Sequence, residues 1–202
     1  MIKINNLSFR YGERDILKSI SASISMQKIT AVLGPNGCGK STLFGLMTKN
    51  LKPLDGGVYL NGLNIRSIRL KEFSQRVAIV HQVNSAPQDL TVKSLIANGR
   101  TPYTAFLSSN SEEDEQAVEW AMEVTELLTF KDQPFHTLSG GQKQRAWIAM
   151  ALAQKTGILL LDEPTTHLDI RYQIQIIDLI QRLNQKYGIT IRGMELETDA
   201  VS

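Results

Sequence analysis

No window of this 202-residue chain offers the roughly 20 uncharged apolar residues that a membrane span requires. The opening stretch "MIKINNLSF" alternates apolar and polar residues and lacks the long apolar core of a signal peptide. Cysteine occurs once, as Cys38, so no internal disulfide can form, which fits a reducing compartment. An excess of either charge is also missing. Lys+Arg 22 against Asp+Glu 20 leaves +2, and no basic patch of the kind that binds nucleic acid stands out. Fixed-period repeats and low-complexity tracts are absent. The length suits one sizeable core with a small inserted subdomain.

What is present alternates between strand-like and helix-like patterns. Ile2 to Phe9 reads as a strand with a slip or bulge, Tyr11-Gly12 as a turn, and Ile16 to Ile24 as a second, weaker strand. "KITAVL" (Lys28 to Leu33) is a short buried-strand run, followed by a Gly-rich loop and a helix from Lys40 to about Lys49. Further strands are expected at Val58 to Leu60, Arg76 to Val80 and Ile158 to Asp162. Helices are expected at Val92 to Arg100, Ser111 to Leu128, Ser139 to Gln154 and Arg171 to Tyr187. Ser111 and Asp114 form a capping box, and "EEDE" reads as a solvated first turn. Ile174, Ile177, Ile180, Leu183 and Tyr187 predict the buried stripe of the last helix. The fold class is therefore α/β, with a mainly parallel sheet, an antiparallel N-terminal part and a helical insertion from about Val83 to Thr137.

"GPNGCGKST" (Gly34 to Thr42) fits G-x-x-x-x-G-K-[ST] and sits between a buried strand and a helix. At an average glycine usage of roughly 7%, the four fixed positions coincide by chance in about one chain in a hundred. The glycines let successive N–H groups curl around one anion, and the helix start adds positive potential. Lys40 is placed to reach the β- and γ-phosphates, and the Ser41 hydroxyl to ligate Mg²⁺. Cys38 has no His or second Cys nearby and reads as a tolerated small residue. In "ILLLDEPTTHLD" (Ile158 to Asp169), Asp162 ends a buried strand where a carboxylate can face the metal. Glu163 follows, where it can polarise an attacking water.

With "LSGGQKQR" (Leu138 to Arg145) the chain resembles the ATP-binding-cassette ATPases. Tyr11, the phosphate loop, "IVHQ" ending at Gln82, "LSGGQ", "LLLDE" and "THLD" (Thr166 to Asp169) occur in that family's order and spacing, over Met1 to about Ile191. The resemblance implies a P-loop ATPase core that binds ATP and Mg²⁺. It implies that Tyr11 stacks on the adenine and that Gly34, Pro35, Asn36, Gly37, Cys38, Gly39, Lys40, Ser41 and Thr42 hold the phosphates. Gln82 is expected at Mg²⁺ and the attacking water, beside Asp162 and Glu163. Ser139, Gly140, Gly141 and Gln142 are expected at the γ-phosphate bound to a second protomer, and Asp169 between the two sites. "SGG" before a helix fits a second anion-binding helix end. "NGRTPY" (Asn98 to Tyr103) resembles the corresponding segment in ATPases of iron-siderophore, haem and cobalamin importers. The implied partners are a second ATPase subunit, most simply a homodimer, and transmembrane permease subunits. A substrate-binding protein takes part indirectly, nucleic acid is not a partner, and the chain sits peripherally on the cytoplasmic side of the membrane.

The resemblance also implies an interior strand starting at "GITI" (Gly188 to Ile191) and a later His-Asp whose histidine contacts the γ-phosphate. The three histidines are His81, His136 and His167, and none follows that strand. Arg192-Gly193 is a poor continuation of an interior strand. From about Arg192 to Ser202 the chain is expected to form an abnormal or disordered end. Two alternatives accompany the importer reading. One is a truncated cassette that binds nucleotide but hydrolyses it slowly; the other is a soluble, non-transport cassette protein.

Overall fold

The computed structural model describes residues 1–103, 112–166 and 168–194. Strands β1 (Ile2–Tyr11) and β2 (Arg14–Ile24) form an antiparallel hairpin across Gly12-Glu13, and β1 also pairs antiparallel with β4 (Asp55–Leu60). The pairing slips between Ile4 and Leu7 and again before Phe9, as the broken alternation of the sequence predicts. A short β5 (Leu63–Asn64) completes this sheet in the order β2-β1-β4-β5.

The second sheet is parallel. It contains β3 (Ile29–Val32), β6 (Val77–Val80), β7 (Ile158–Asp162) and β8 (Thr190–Met194), in the order β3-β8-β7-β6. On one face lie α1 (Lys40–Met47), α2 (Leu70–Ser74) and the antiparallel sheet, sharing a core that includes Ile4, Phe44, Leu60, Phe73 and Leu160. On the other lie α3 (Val92–Ala97), α4 (Glu112–Val124), α5 (Gly140–Ala153) and α6 (Ile170–Tyr187). Their core runs without a break from Ile96, Val118 and Ile148 into Leu159, Leu161 and Ile191. The sheet is thus covered on both faces, which explains why "ILLL" in β7 is uniformly apolar.

Three expectations need correction. The buried face of α6 is Ile176, Leu179, Ile180 and Leu183, while Ile174 and Tyr187 are exposed. The acidic start of α4 is not wholly solvated: Asp114 is buried and accepts from Arg100 Nε at 2.6 Å. Ser111, its expected capping partner, lies outside the described residues, as do His167 and residues 195–202. Finally, the last strand does not stop at Ile191. Arg192 and Gly193 pair with Thr30 and Ala31 on one side and with Leu160 and Leu161 on the other. Two neighbouring strands hold the backbone there, although Arg192 is buried on this interior strand. Two short elements, β5 and α2, are too brief to leave a periodic signal.

Candidate functional site

All four strands of the parallel sheet point the same way, so their C-terminal ends share one edge. Gly34 follows β3, Gln82 follows β6, and Asp162 and Glu163 close β7. The topology alone therefore collects the phosphate loop, the glutamine and the acid pair along that edge.

The loop's last glycine shows why the sequence needs it. Gly39 caps α1 at φ +101°, and a Cβ there would sit 3.0 Å from the side chains of Ile16 and Leu17. Lys40 is buried and folds back over its own loop, donating to the carbonyls of Gly34 at 2.6 Å and Pro35 at 3.0 Å. A cavity of about 240 Å³ opens here, lined by Asn36, Gly37, Gly39, Lys40, Ser41, Thr42, Glu163, Arg14 and Ile16. A larger cleft of about 450 Å³ beside α6, lined by polar and charged residues such as Arg145, Gln175 and Asp178, carries none of the predicted site residues.

Glu163 is held at φ +47°, a conformation that costs a non-glycine residue backbone energy and recurs at functional sites. One of its oxygens, Oε2, accepts from Gln82 Nε2 at 2.5 Å and from Thr166 Oγ1 at 3.1 Å. The β6 and β7 ends are thereby tied together at the cavity wall. Asp162 is half-buried, and its Oδ1 is enclosed with no hydrogen-bond partner among the described residues. Burial, and secondarily the Glu163 charge, push its carboxyl up to about 6.

That orphaned oxygen is the test of whether a divalent cation fits. A buried carboxylate oxygen without a donor is costly, and a cation removes the cost. No cluster of three His, Cys, Asp or Glu side chains occurs among the described residues. The available donors are instead one carboxylate, the Ser41 hydroxyl and the Gln82 amide. Hard oxygens in small number suit Mg²⁺, which takes few protein ligands and completes its shell with phosphate and water.

The signature segment forms a separate helix start. Ser139 caps α5 through a reciprocal box: its hydroxyl accepts from Gln142 N–H at 3.3 Å, and Gln142 Oε1 accepts from Ser139 N–H at 2.8 Å. Gly141 is required by packing, since a Cβ there would lie 2.3 Å from the Tyr172 ring of α6. Ser139 to Gln142 do not line the phosphate-loop cavity, and neither does Tyr11. Tyr11 stands exposed at the hairpin end, edge-on to Phe9 at 4.8 Å between centroids.

Sequence reasoning missed Thr166, Arg14 and Ile16. A two-residue turn after Tyr11 places Arg14 opposite it, so hairpin arithmetic could have found that residue. Thr166 carries no comparable signal. "NGRTPY" is structural at both ends. Arg100 donates to Asp114 and to the Ala153 carbonyl at the end of α5, and Tyr103 OH donates to the Gln154 carbonyl at 2.8 Å.

Residues 17–166 match the family described as ABC transporter. The chain is 43% identical over 190 residues to the iron(3+)-hydroxamate import ATP-binding protein FhuC of Bacillus subtilis, covering 94% of this chain and 71% of the relative. It is 43% identical over 188 residues to the ferric enterobactin transport ATP-binding protein FepC of Escherichia coli, covering 93% and 69%. Among solved structures, an inward-facing transporter described as a putative metal-chelate type ABC transporter superposes with a TM-score of 0.83. That match has 28% identity and covers 96% of this chain and 72% of that one.

Proposed function

The chain belongs to the ABC transporter family, whose cassettes are ATPases, and from that premise we propose that it is the ATP-binding subunit of an importer for iron-siderophore or related metal chelates. The observation that carries the reading is the wall shared by Lys40, Ser41, Thr42 and Glu163 in one cavity, with Gln82 bonded to Glu163. In this reading the loop amides and Lys40 bind the β- and γ-phosphates of ATP. Glu163 takes the proton of the attacking water, and Gln82 orients that water. Ser41, Gln82 and Asp162 hold Mg²⁺, which neutralises charge on the phosphates when bound. Tyr11 stacks on the adenine.

Residues 1–194 form the ATP-binding domain, since β8 runs to Met194 within the sheet, with residues 83–137 as its helical insertion. The insertion and the surface around Gln82 meet the permease subunits, and a substrate-binding protein acts through them. Among the described residues no helix is long and apolar enough to cross a membrane. In this reading the chain attaches to the cytoplasmic face of the membrane through the permease.

Ser139, Gly140, Gly141 and Gln142 act in trans. The cavity does not include them, and α5 offers its N-terminal amides and dipole to an anion held elsewhere. A head-to-tail pair of cassettes supplies that anion as the partner's γ-phosphate. With Glu163→Gln, Mg²⁺ and ATP, light scattering is expected to show a doubling of mass. A monomer under all nucleotide conditions would sink the reading.

A further inference from the structure

We infer that Arg14 is a second cationic phosphate-binding residue of the nucleotide site, facing the phosphate loop from the hairpin. The inference rests on the reading that this loop holds a nucleotide. Arg14 lines the same cavity as Asn36, Gly37 and Lys40. Its strand is anchored there, because Ile16, two residues on at the β2 bulge, packs over Gly39 and also lines the cavity. Neighbouring acids do not claim the guanidinium. Asp15 pairs with Lys18 at 3.5 Å, and the Arg14 guanidinium makes no hydrogen bond or ion pair among the described residues. A cation left unpaired at the mouth of an anion-binding cavity is placed for an anion from solution.

The register supplies the geometry. Tyr11 and Arg14 are directly opposed across the hairpin, so their side chains leave the same face. With the base on Tyr11 and the terminal phosphates in the loop, the polyphosphate chain passes Arg14. The charge balance gives it work to do. Lys40 is engaged with loop carbonyls, and Glu163 contributes an acid to the same cavity wall. A fork of guanidinium donors offsets that acid and can grip phosphate oxygens in pairs, which an ammonium cannot.

Calorimetric titration of Mg-ATP, Mg-ADP and adenosine into the full chain tests this. Arg14→Ala is expected to raise the ATP Kd about tenfold, with Arg14→Lys falling between it and wild type. The ATP Kd should become less sensitive to salt, and adenosine binding should stay unchanged. Lys18→Ala removes an equal charge from the same strand and should leave the ATP Kd within about twofold. Lys40→Ala should abolish ATP binding. If Lys40→Ala abolishes binding but Arg14→Ala matches wild type, the role of Arg14 is refuted. Equal losses in Arg14→Ala and Lys18→Ala refute it too, since a general field then explains both. Undiminished ATP binding by Lys40→Ala refutes the nucleotide reading itself.

Discussion

Thr166 and Gln82 both donate to Oε2 of Glu163, which leaves Oε1 for the cavity. Thr166 therefore positions the proposed base without touching substrate. Thr166→Val, nearly the same shape without the hydroxyl, is expected to lower kcat roughly tenfold with KM unchanged. Thr166→Ser should recover most of that loss. A purely structural threonine would change both constants or neither. The neighbouring Asp162 yields a pH prediction. Its carboxyl is raised to about 6 by burial first and by Glu163 second. A carboxyl raised on folding contributes stability that is full below its unfolded value, near 3.9, and is lost as pH rises through its folded value. The nucleotide-free chain should lose stability between about pH 4 and 6.5 through this group. Asp162→Asn should flatten that part of a Tm-against-pH curve. Parallel curves for variant and wild type would mean the carboxyl is not desolvated. At this scale the motif residues were legible because backbone curvature and metal chemistry demand particular residue types at fixed spacing. Thr166 was not, because a hydroxyl donor three residues from an acid fits many loops.

Strand β8 and helix α4 each bury a charge, with opposite consequences. Arg192 sits in the interior strand with its guanidinium against the Met47 sulfur of α1, and its Nε has no partner among the described residues. Burial pulls its pKa down to about 10. Replacing a buried, poorly paired cation with an apolar side chain of similar length removes a desolvation cost. Arg192→Met should stabilise the fold by about 2 kcal/mol, read from the urea midpoint at constant m-value. Destabilisation would show that the guanidinium is well solvated or paired. Arg100 and Asp114 are the contrary case: both are buried, bonded at 2.6 Å, with Arg100 also serving the end of α5. Asp114→Ala should cost about 3 kcal/mol, while Glu113→Ala on the solvent side should stay within about 0.5 kcal/mol. Equal effects from both acids would restore the plain solvated-turn picture. The sequence pattern could not separate these acids, because the partner of Asp114 lies fourteen residues away in another element. The stripe of α6 was misplaced for a geometric reason. Steps of three residues drift about 60° around a helix, so four such positions cover half its circumference. The buried set Ile176, Leu179, Ile180 and Leu183 instead mixes steps of three and one and stays on one side.

At the scale of the molecule, the parallel sheet divides two cores, and its C-terminal edge collects the phosphate loop, Gln82 and the acid pair. The alternation of strands and helices made that class of architecture readable. The place of β8 between β3 and β7 was expected only from family resemblance, since strand order leaves no local trace. The helix end proposed as the second anion site stands apart from the cavity, and this separation has a consequence for assembly. If each nucleotide is enclosed by the loop of one subunit and α5 of another, two different defects can complement. Lys40→Ala removes the loop's cation but leaves its signature intact. Ser139→Asp keeps a good helix cap yet opposes the γ-phosphate with negative charge. In a Glu163→Gln background, neither variant alone should dimerise with ATP, because each lacks one half of both sites. Mixed together, they rebuild one complete site per heterodimer. Energy transfer between differently labelled variants should therefore appear on adding Mg-ATP, and only in the mixture. Association of the Ser139→Asp variant by itself would show that α5 takes no part in holding the nucleotide.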